Sequence, residues 1–245
     1  MIEDHFGEAA AARYDHSHDP EFEPAEIART VDLLQRLAGD GPALEFGIGT
    51  GRIALPLAER GVPVHGIDLS EAMVRRLRAK PGGDRIATTI GDFAATAVAG
   101  EFSLVYLVFN TLMNLSTQDA QVDCFRNAAG HLVPGGSFLV EVMVPELRKI
   151  PLGQNTVQFA DGPEHWAYTV YDTVTQDATC HYLRITGDGR GEARSIPFRY
   201  VWPAELDLMA RLAGLRLRHR WADWTGAPFT ELSTRHVSVW ERPMG

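Results

Sequence analysis

The stretch Leu44-Glu45-Phe46-Gly47-Ile48-Gly49-Thr50-Gly51 sets an acidic residue and three alternate glycines behind a short apolar run. A second apolar run, Val64-His65-Gly66-Ile67, ends in Asp68, seventeen residues after Gly51. Glycine has no Cβ, so this spacing lets a strand turn sharply into a helix with backbone N–H groups facing a ligand. An acid closing the next strand is placed to accept hydrogen bonds from two ribose hydroxyls. The pattern is that of a nucleoside site. A dinucleotide fingerprint, G-x-G-x-x-G, needs its third glycine at position 52. That position is Arg52, too bulky for close backbone approach, and the third glycine comes one residue early.

Outward from this turn, helical and strand-like patterns alternate. Residues 26–38 carry Ile27, Val31, Leu34 and Ala38 at helical spacing, and Gly39-Asp40-Gly41-Pro42 closes them. Strand one spans 43–46, and a helix with Pro56 near its first turn runs to about residue 60. Strand two spans 64–68, and Ser70 caps a helix through Met73 and Leu77. Strand three spans 86–90, and strand four, 103–109, is continuously apolar, as expected of a strand buried on both faces. Ser116 and Asp119 read as a capping box ahead of a helix with Phe125, Ala128 and Leu132, and strand five spans 137–142. Five strands alternating with helices predict an α/β, doubly wound, mostly parallel sheet.

After Pro145 the pattern changes. Runs at 166–174, 179–185 and 194–201 alternate with period two, and Gly187-Asp188-Gly189 marks a hairpin. They predict an antiparallel β insertion after strand five. A helix over 203–213 and strands at 216–221 and 236–242 then complete a seven-stranded sheet. The expected organisation is a core over 1–145, a β cap over 146–202 and a core-completing segment over 203–245.

The net charge of −9 argues against nucleic acid as substrate, because phosphate affinity needs a basic surface. The one basic cluster, Arg216, Arg218 and Arg220, reads as the solvated face of an edge strand. No apolar run approaches the roughly 20 residues a membrane helix requires. Cys124 and Cys180 lack metal-like spacing, and the first residues lack a secretory pattern, so a cytoplasmic protein is expected.

With these elements in place, four motifs coincide in order: Glu45-Phe46-Gly47-Ile48-Gly49-Thr50-Gly51, Gly66-Ile67-Asp68-Leu69-Ser70, Gly91-Asp92-Phe93 and Pro134-Gly135-Gly136. Together they resemble the class I S-adenosylmethionine-dependent methyltransferases of Rossmann-like fold. The branch most resembled acts on small molecules, including amino-sugar and glycine N-methyltransferases. The resemblance implies S-adenosylmethionine as cofactor and a small-molecule acceptor; the protein is expected to hold no metal, to be a monomer or homodimer, and to lack nucleic-acid and membrane partners. It implies that Gly47, Gly49 and Gly51 pass the methionine and ribose portions and that Glu45 fixes the methionine ammonium. Asp68 would hold the ribose diol, Leu69 the adenine face, and Asp92 and Phe93 the adenine edge and wall. Val108, near the end of strand four, would lie beneath the sulfonium.

Candidates near the acceptor are fewer. Tyr14 follows a helix-like stretch similar to the segment that folds over the cofactor in related enzymes. Asn110, Thr111 and Asn114 follow strand four, at the mouth where open parallel sheets bind ligands. Asp92 also reads as a helix N-cap. His165 and His181 are candidate bases for a hydroxyl acceptor, and His5, His16 and His18 form only a weak metal pattern. Two rivals stand beside the methyltransferase reading: a cofactor-binding cyclase or regulatory protein on the same fold, and a nicotinamide oxidoreductase.

Overall fold

The computed structural model describes residues 6–16, 19–187 and 189–244. Along the chain run α1 (Glu8–Tyr14), α2 (Pro24–Ala38), β1 (Ala43–Phe46), α3 (Ala54–Glu59), β2 (Val64–Asp68), α4 (Glu71–Ala79) and β3 (Ala87–Ile90). Then come β4 (Phe102–Leu107), α5 (Gln118–His131), β5 (Leu132–Met143), β6 (Thr156–Gly162), β7 (His165–Tyr171), β8 (Asp177–Ile185) and β9 (Gly191–Arg199). The chain ends in α6 (Pro203–Leu212), β10 (Arg216–Trp221) and β11 (Arg235–Glu241).

Seven strands form one sheet in the order β10-β11-β5-β4-β1-β2-β3, with β11 antiparallel to both of its neighbours. This is the doubly wound, mostly parallel sheet that the alternation of elements predicts. Strands β6-β7-β8-β9 form a separate antiparallel meander. The buried side of that second sheet includes Val157, Ala167, Thr169, Tyr171, Ala178 and Cys180.

Alternation of side chains along each strand divides the large sheet into two faces. Leu44, Phe46, Val105, Leu107, Phe138, Val140 and Val142 pack with Phe125 and Ala128 of α5 and Leu206 and Met209 of α6. Ala43, Leu104, Tyr106, Val108, Leu139, Val237 and Val239 pack with Val31 and Leu34 of α2 and Leu57 of α3. The same parity puts Glu45 on the α2 face of β1 and Glu141 on that face of β5.

Several local expectations shift. The cap of α5 is Thr117, whose hydroxyl accepts from Ala120 N at 3.1 Å, rather than Ser116. Strand β4 ends at Leu107, because Phe109 and Asn110 both take φ of 58°. Arg220 is not a solvated charge: it pairs with Asp207 at 2.8 Å and is mostly buried.

The second sheet joins the first through buried polar bonds. Arg199 donates to Gln121 Oε1 at 2.6 Å and to Glu205 Oε1 at 2.7 Å. Gln176 donates to the other Glu205 oxygen at 2.7 Å. These bonds tie β9 and the β7–β8 turn to α5 and α6, and each buried polar group finds a partner.

His236 on β11 is wholly buried. Arg220 Nε donates to Ser238 Oγ, and the hydroxyl meets His236 Nδ1, both at 2.8 Å. Burial, reinforced by the Arg220 charge, pushes the imidazole down to about 3. The unfolded chain, with a histidine near 6.5, therefore binds this proton first as pH falls. Stability should be lost between about pH 6.5 and 3, by on the order of a few kcal/mol. Urea unfolding at stepped pH should show His236→Asn with a flatter acid limb than the parent chain; parallel curves would refute this origin.

Candidate functional site

The turn after β1 lies on the carboxyl end of β2. Gly47 N and Ile48 N both donate to Ile67 O, at 2.8 and 3.2 Å. Gly47 has φ of 72°, and a Cβ there would stand 2.5 Å from the Thr111 methyl. Gly66 serves the same packing from the other side: a Cβ on it would come within 2.2 Å of Ile48 Cδ1. The loop can sit this close only because both positions lack side chains.

Asp68 closes β2 and aims its carboxylate back at the loop. Its Oδ2 accepts from Gly49 N at 2.7 Å and its Oδ1 from Ser70 N at 2.8 Å. Leu69 and Ile90 beside it are more than one-third exposed, leaving apolar surface at the β2–β3 mouth. Asp92 Oδ1 accepts from Ala94 N at 2.8 Å, closing a turn rather than opening a helix. The Phe93 ring stacks on Phe46 at 5.8 Å, and its carbonyl accepts from Asn127 at 2.9 Å.

Glu45 is 2% exposed, and among the described residues its carboxyl accepts one hydrogen bond, from the Tyr106 hydroxyl at 2.9 Å. Burial pushes this carboxyl up to about 8, against the opposing pull of Tyr106 and Arg52. The carboxyl is therefore mostly protonated at neutral pH. Tyr14 reaches the same place from α1. Burial pushes its phenol up to about 12, with Arg52 opposing and Glu45 and Asp68 adding to the rise. Its ring meets Phe22 edge-on at 5.3 Å, and Phe22 meets Phe109 at 5.6 Å.

The amino-terminal segment is fastened over this cleft. Asp15 Oδ1 accepts from Thr50 Oγ1 at 2.6 Å, and Lys80 donates to Asp15 and to Thr50 O, both at 2.8 Å. Ser70 Oγ donates to Phe6 O at 2.9 Å, and Glu8 pairs with Arg75. Arg13 reaches Glu192 on β9 at 3.6 Å, so α1 bridges the loop and the second sheet.

At the end of β4, two consecutive non-glycine residues sit in the left-handed region, a conformation that stores strain and needs outside support. Here the support comes from β5. Phe109 N donates to Glu141 Oε2 at 2.5 Å, and Asn110 Oδ1 accepts from Met143 N at 2.7 Å. Burial raises the Glu141 carboxyl, with the Phe109 N–H opposing. Val108 is buried in the wall beneath. Thr111 Oγ1 donates to Val108 O at 2.7 Å, while Asn114 is exposed.

The structure thus gathers Tyr14, Glu45, Asp68 and the three glycines in one cleft, with Leu69, Asp92 and Phe93 along one flank and Val108 and Asn110 on the other. His181 bonds Ser195 at 2.9 Å and stacks on Tyr168, on the opposite side of the second sheet from buried Cys180. His165 is exposed and stacks on Tyr182. Among the described residues no group of three metal-ligating side chains occurs; His5 and His18 lie outside them. Sequence reading passed over Arg52, Tyr106, Glu141 and Lys80. Strand parity alone signals Tyr106 and Glu141; nothing local marks Lys80.

Comparison with known proteins agrees with this geometry. The family described as a methyltransferase domain matches residues 43–136. The CcbJ methyltransferase of Streptomyces caelestis is 34% identical, over 97% of this chain and 98% of that one, with a TM-score of 0.86. The cypemycin N-terminal methyltransferase of a Streptomyces species is 28% identical over 206 residues, 81% of this chain and 82% of that protein. CalS10, an amino pentose methyltransferase from Micromonospora echinaspora solved with its cofactor bound, shares the fold at 19% identity, with a TM-score of 0.69 and 96% of each chain covered. The glycine turn, the acid closing β2, the strand order and these likenesses together place the chain in the class I S-adenosylmethionine-dependent methyltransferases.

Proposed function

We propose that this methyltransferase acts on a nitrogen or oxygen of a small molecule, a secondary metabolite or amino sugar, with an amine the better fit. The convergence of Tyr14, Glu45 and Asp68 on the glycine turn supports this reading. The cleft suits the cofactor by its donor set. An acid aimed at the loop offers oxygens to a ribose diol, exposed Leu69 and Ile90 offer an apolar surface to a purine, and the buried Glu45 carboxyl, held by Tyr106 through one oxygen, offers its other to an ammonium. Printed functions of the relatives point the same way: an amino pentose methyltransferase, a sugar N-methyltransferase and an N-terminal methyltransferase are among them.

When bound, S-adenosylmethionine supplies a methyl group already activated on a sulfonium. The chain's part is alignment, which intramolecular analogies value at up to about 7–11 kcal/mol. The left-handed corner at Phe109 and Asn110 sets the floor of the acceptor side, and α1 with Tyr14 closes over it. A phenol held up to about 12 keeps its proton at neutral pH, so Tyr14 donates a hydrogen bond and is no base. A neutral amine needs none, whereas a hydroxyl usually benefits from one. The acidic surface, with a net charge of −9, supports a small acceptor over nucleic acid.

Thermal unfolding with S-adenosylmethionine or S-adenosylhomocysteine near 100 times its dissociation constant should raise the midpoint by about 5–11 °C. NADH should leave it unchanged, and Asp68→Ala should remove the adenosyl shift. Formation of S-adenosylhomocysteine with an accepted amine separates transfer from mere cofactor binding.

Engaging a cation requires Glu45 to lose its proton. Affinity for S-adenosylhomocysteine should therefore weaken as pH falls below about 8, with proton release seen by calorimetry in two buffers. Glu45→Gln should show neither effect. Tyr14→Phe should lower kcat/KM at least tenfold; an unchanged kinetic profile would dismiss its role.

A further inference from the structure

Glu141 is an acid at a position that suits an aliphatic side chain. It is 3% exposed on the α2 face of β5, where Leu139, Val237 and Val239 around it are apolar and buried. A buried carboxyl costs stability unless its oxygens find partners. Strand register shows what this one is for. Leu107, the last residue of β4, pairs with Val140, so Glu141 is the first residue of β5 to extend past the end of β4. There its Oε2 accepts from Phe109 N at 2.5 Å. Among the described residues Phe109 N has no other acceptor.

Phe109 is where that bond matters. A φ of 58° at both Phe109 and Asn110 is unfavourable for L-residues, so this corner persists only while something outside it holds the backbone. Both ties come from the end of β5, Glu141 on Phe109 N and Met143 N on Asn110 Oδ1. With the backbone so turned, the Phe109 ring lies edge-on to Phe22 at 5.6 Å and to Tyr14 at 6.5 Å. Tyr14 and Phe22 meet each other at 5.3 Å, and the Arg52 guanidinium carbon lies 5.0 Å from the Phe109 ring centre. Three rings and a cation therefore join the end of β4 to α1 and the turn that follows it. Among the described residues Glu141 has one hydrogen bond to this cluster, the bond to Phe109 N.

We propose that Glu141 is a positioning residue of the cleft: acting through Phe109 N, it fixes the Phe109 ring, and through that ring it seats Phe22, Tyr14 and α1. Its importance for methyl transfer rests on the methyltransferase reading of the cleft. The assignment explains why an acid occupies a site in the core. A carboxyl oxygen accepts from an N–H whether or not the group is ionised, so the corner is held in either state. A leucine there would pack as well and hold nothing.

Hydrogen exchange of α1 in the ligand-free protein, with urea unfolding beside it, tests the assignment. Glu141→Leu removes the acceptor and a buried acid together, so global stability should hold or rise while α1 amides exchange roughly 10- to 100-fold faster. Glu141→Gln keeps an oxygen for Phe109 N and should stay within about threefold of the parent. Phe109→Ala should speed α1 as Glu141→Leu does, and the double variant should be no faster than either alone, because both act through one contact. Unchanged exchange in Glu141→Leu, additive effects in the double variant, or no rescue by Glu141→Gln overturns the assignment. Faster exchange matched by an equal fall in global stability overturns it too, as a plain core defect. Should Glu141→Leu fail to fold, Glu141→Asp, one methylene too short to reach Phe109 N, decides. Exchange of α1 at least about threefold faster there supports the assignment, and unchanged exchange overturns it. Calorimetric titration of the parent with S-adenosylhomocysteine keeps the two readings apart. Failure to bind sinks the cofactor reading, while ligand-free exchange still decides the role of Glu141.

Discussion

The site depends on β1 being buried from both sides. With β2 and β4 paired along its edges and helices on its faces, every side chain of Ala43–Phe46 is enclosed. Alternation then forces Glu45 into the α2-side core, where burial penalises its charge. The strand cannot end normally, and the glycine turn that follows is pressed onto β2 by the bonds to Ile67 O and the Asp68 carboxylate. One geometric constraint produces both the open backbone cradle and the unusual acid beneath it.

Charge around that acid is arranged in layers. Glu45 rests on Tyr106, Tyr14 closes from above, and Arg52 stands beside them, hydrogen-bonded to Tyr14 and to Glu21 O. On β5, Glu141 spends one oxygen on Phe109 N, holding a corner that the backbone alone disfavours. Desolvation raises the Glu45, Glu141 and Tyr14 groups alike, and at Glu45, pushed up to about 8, it leaves the site with less negative charge than its composition suggests. A ligand bearing both charges meets a site whose protonation can adjust to it.

The amino-terminal segment is tied to three separate elements. Its ties run to the loop through Asp15, Thr50 and Lys80, to α4 through Glu8 and Arg75, and to the second sheet through Arg13 and Glu192. Most of these pairs are partly or fully exposed, and exposed ion pairs contribute about 0–1 kcal/mol each. Many weak contacts, rather than one strong pair, therefore hold the segment in place.

Much was legible in the residues themselves. The glycine spacing, the acid after β2 and the alternation of elements determined the sheet, its helices and the nucleoside site, because these features act through local backbone geometry and burial period. Strand parity puts Tyr106 on one face of β4, but only the register of β4 against β1 brings it to Glu45. The rest needed tertiary contact. Arg52 read as bulk spoiling a turn until Phe22, thirty residues earlier, and Phe109 closed around it. Lys80 had no local signature, since its partners Asp15 and Thr50 come from distant elements. The left-handed corner after β4 was invisible because only bonds from β5 make that conformation tolerable. Local propensity decides which elements form, whereas the chemistry of a cleft depends on side chains that meet across long sequence separations.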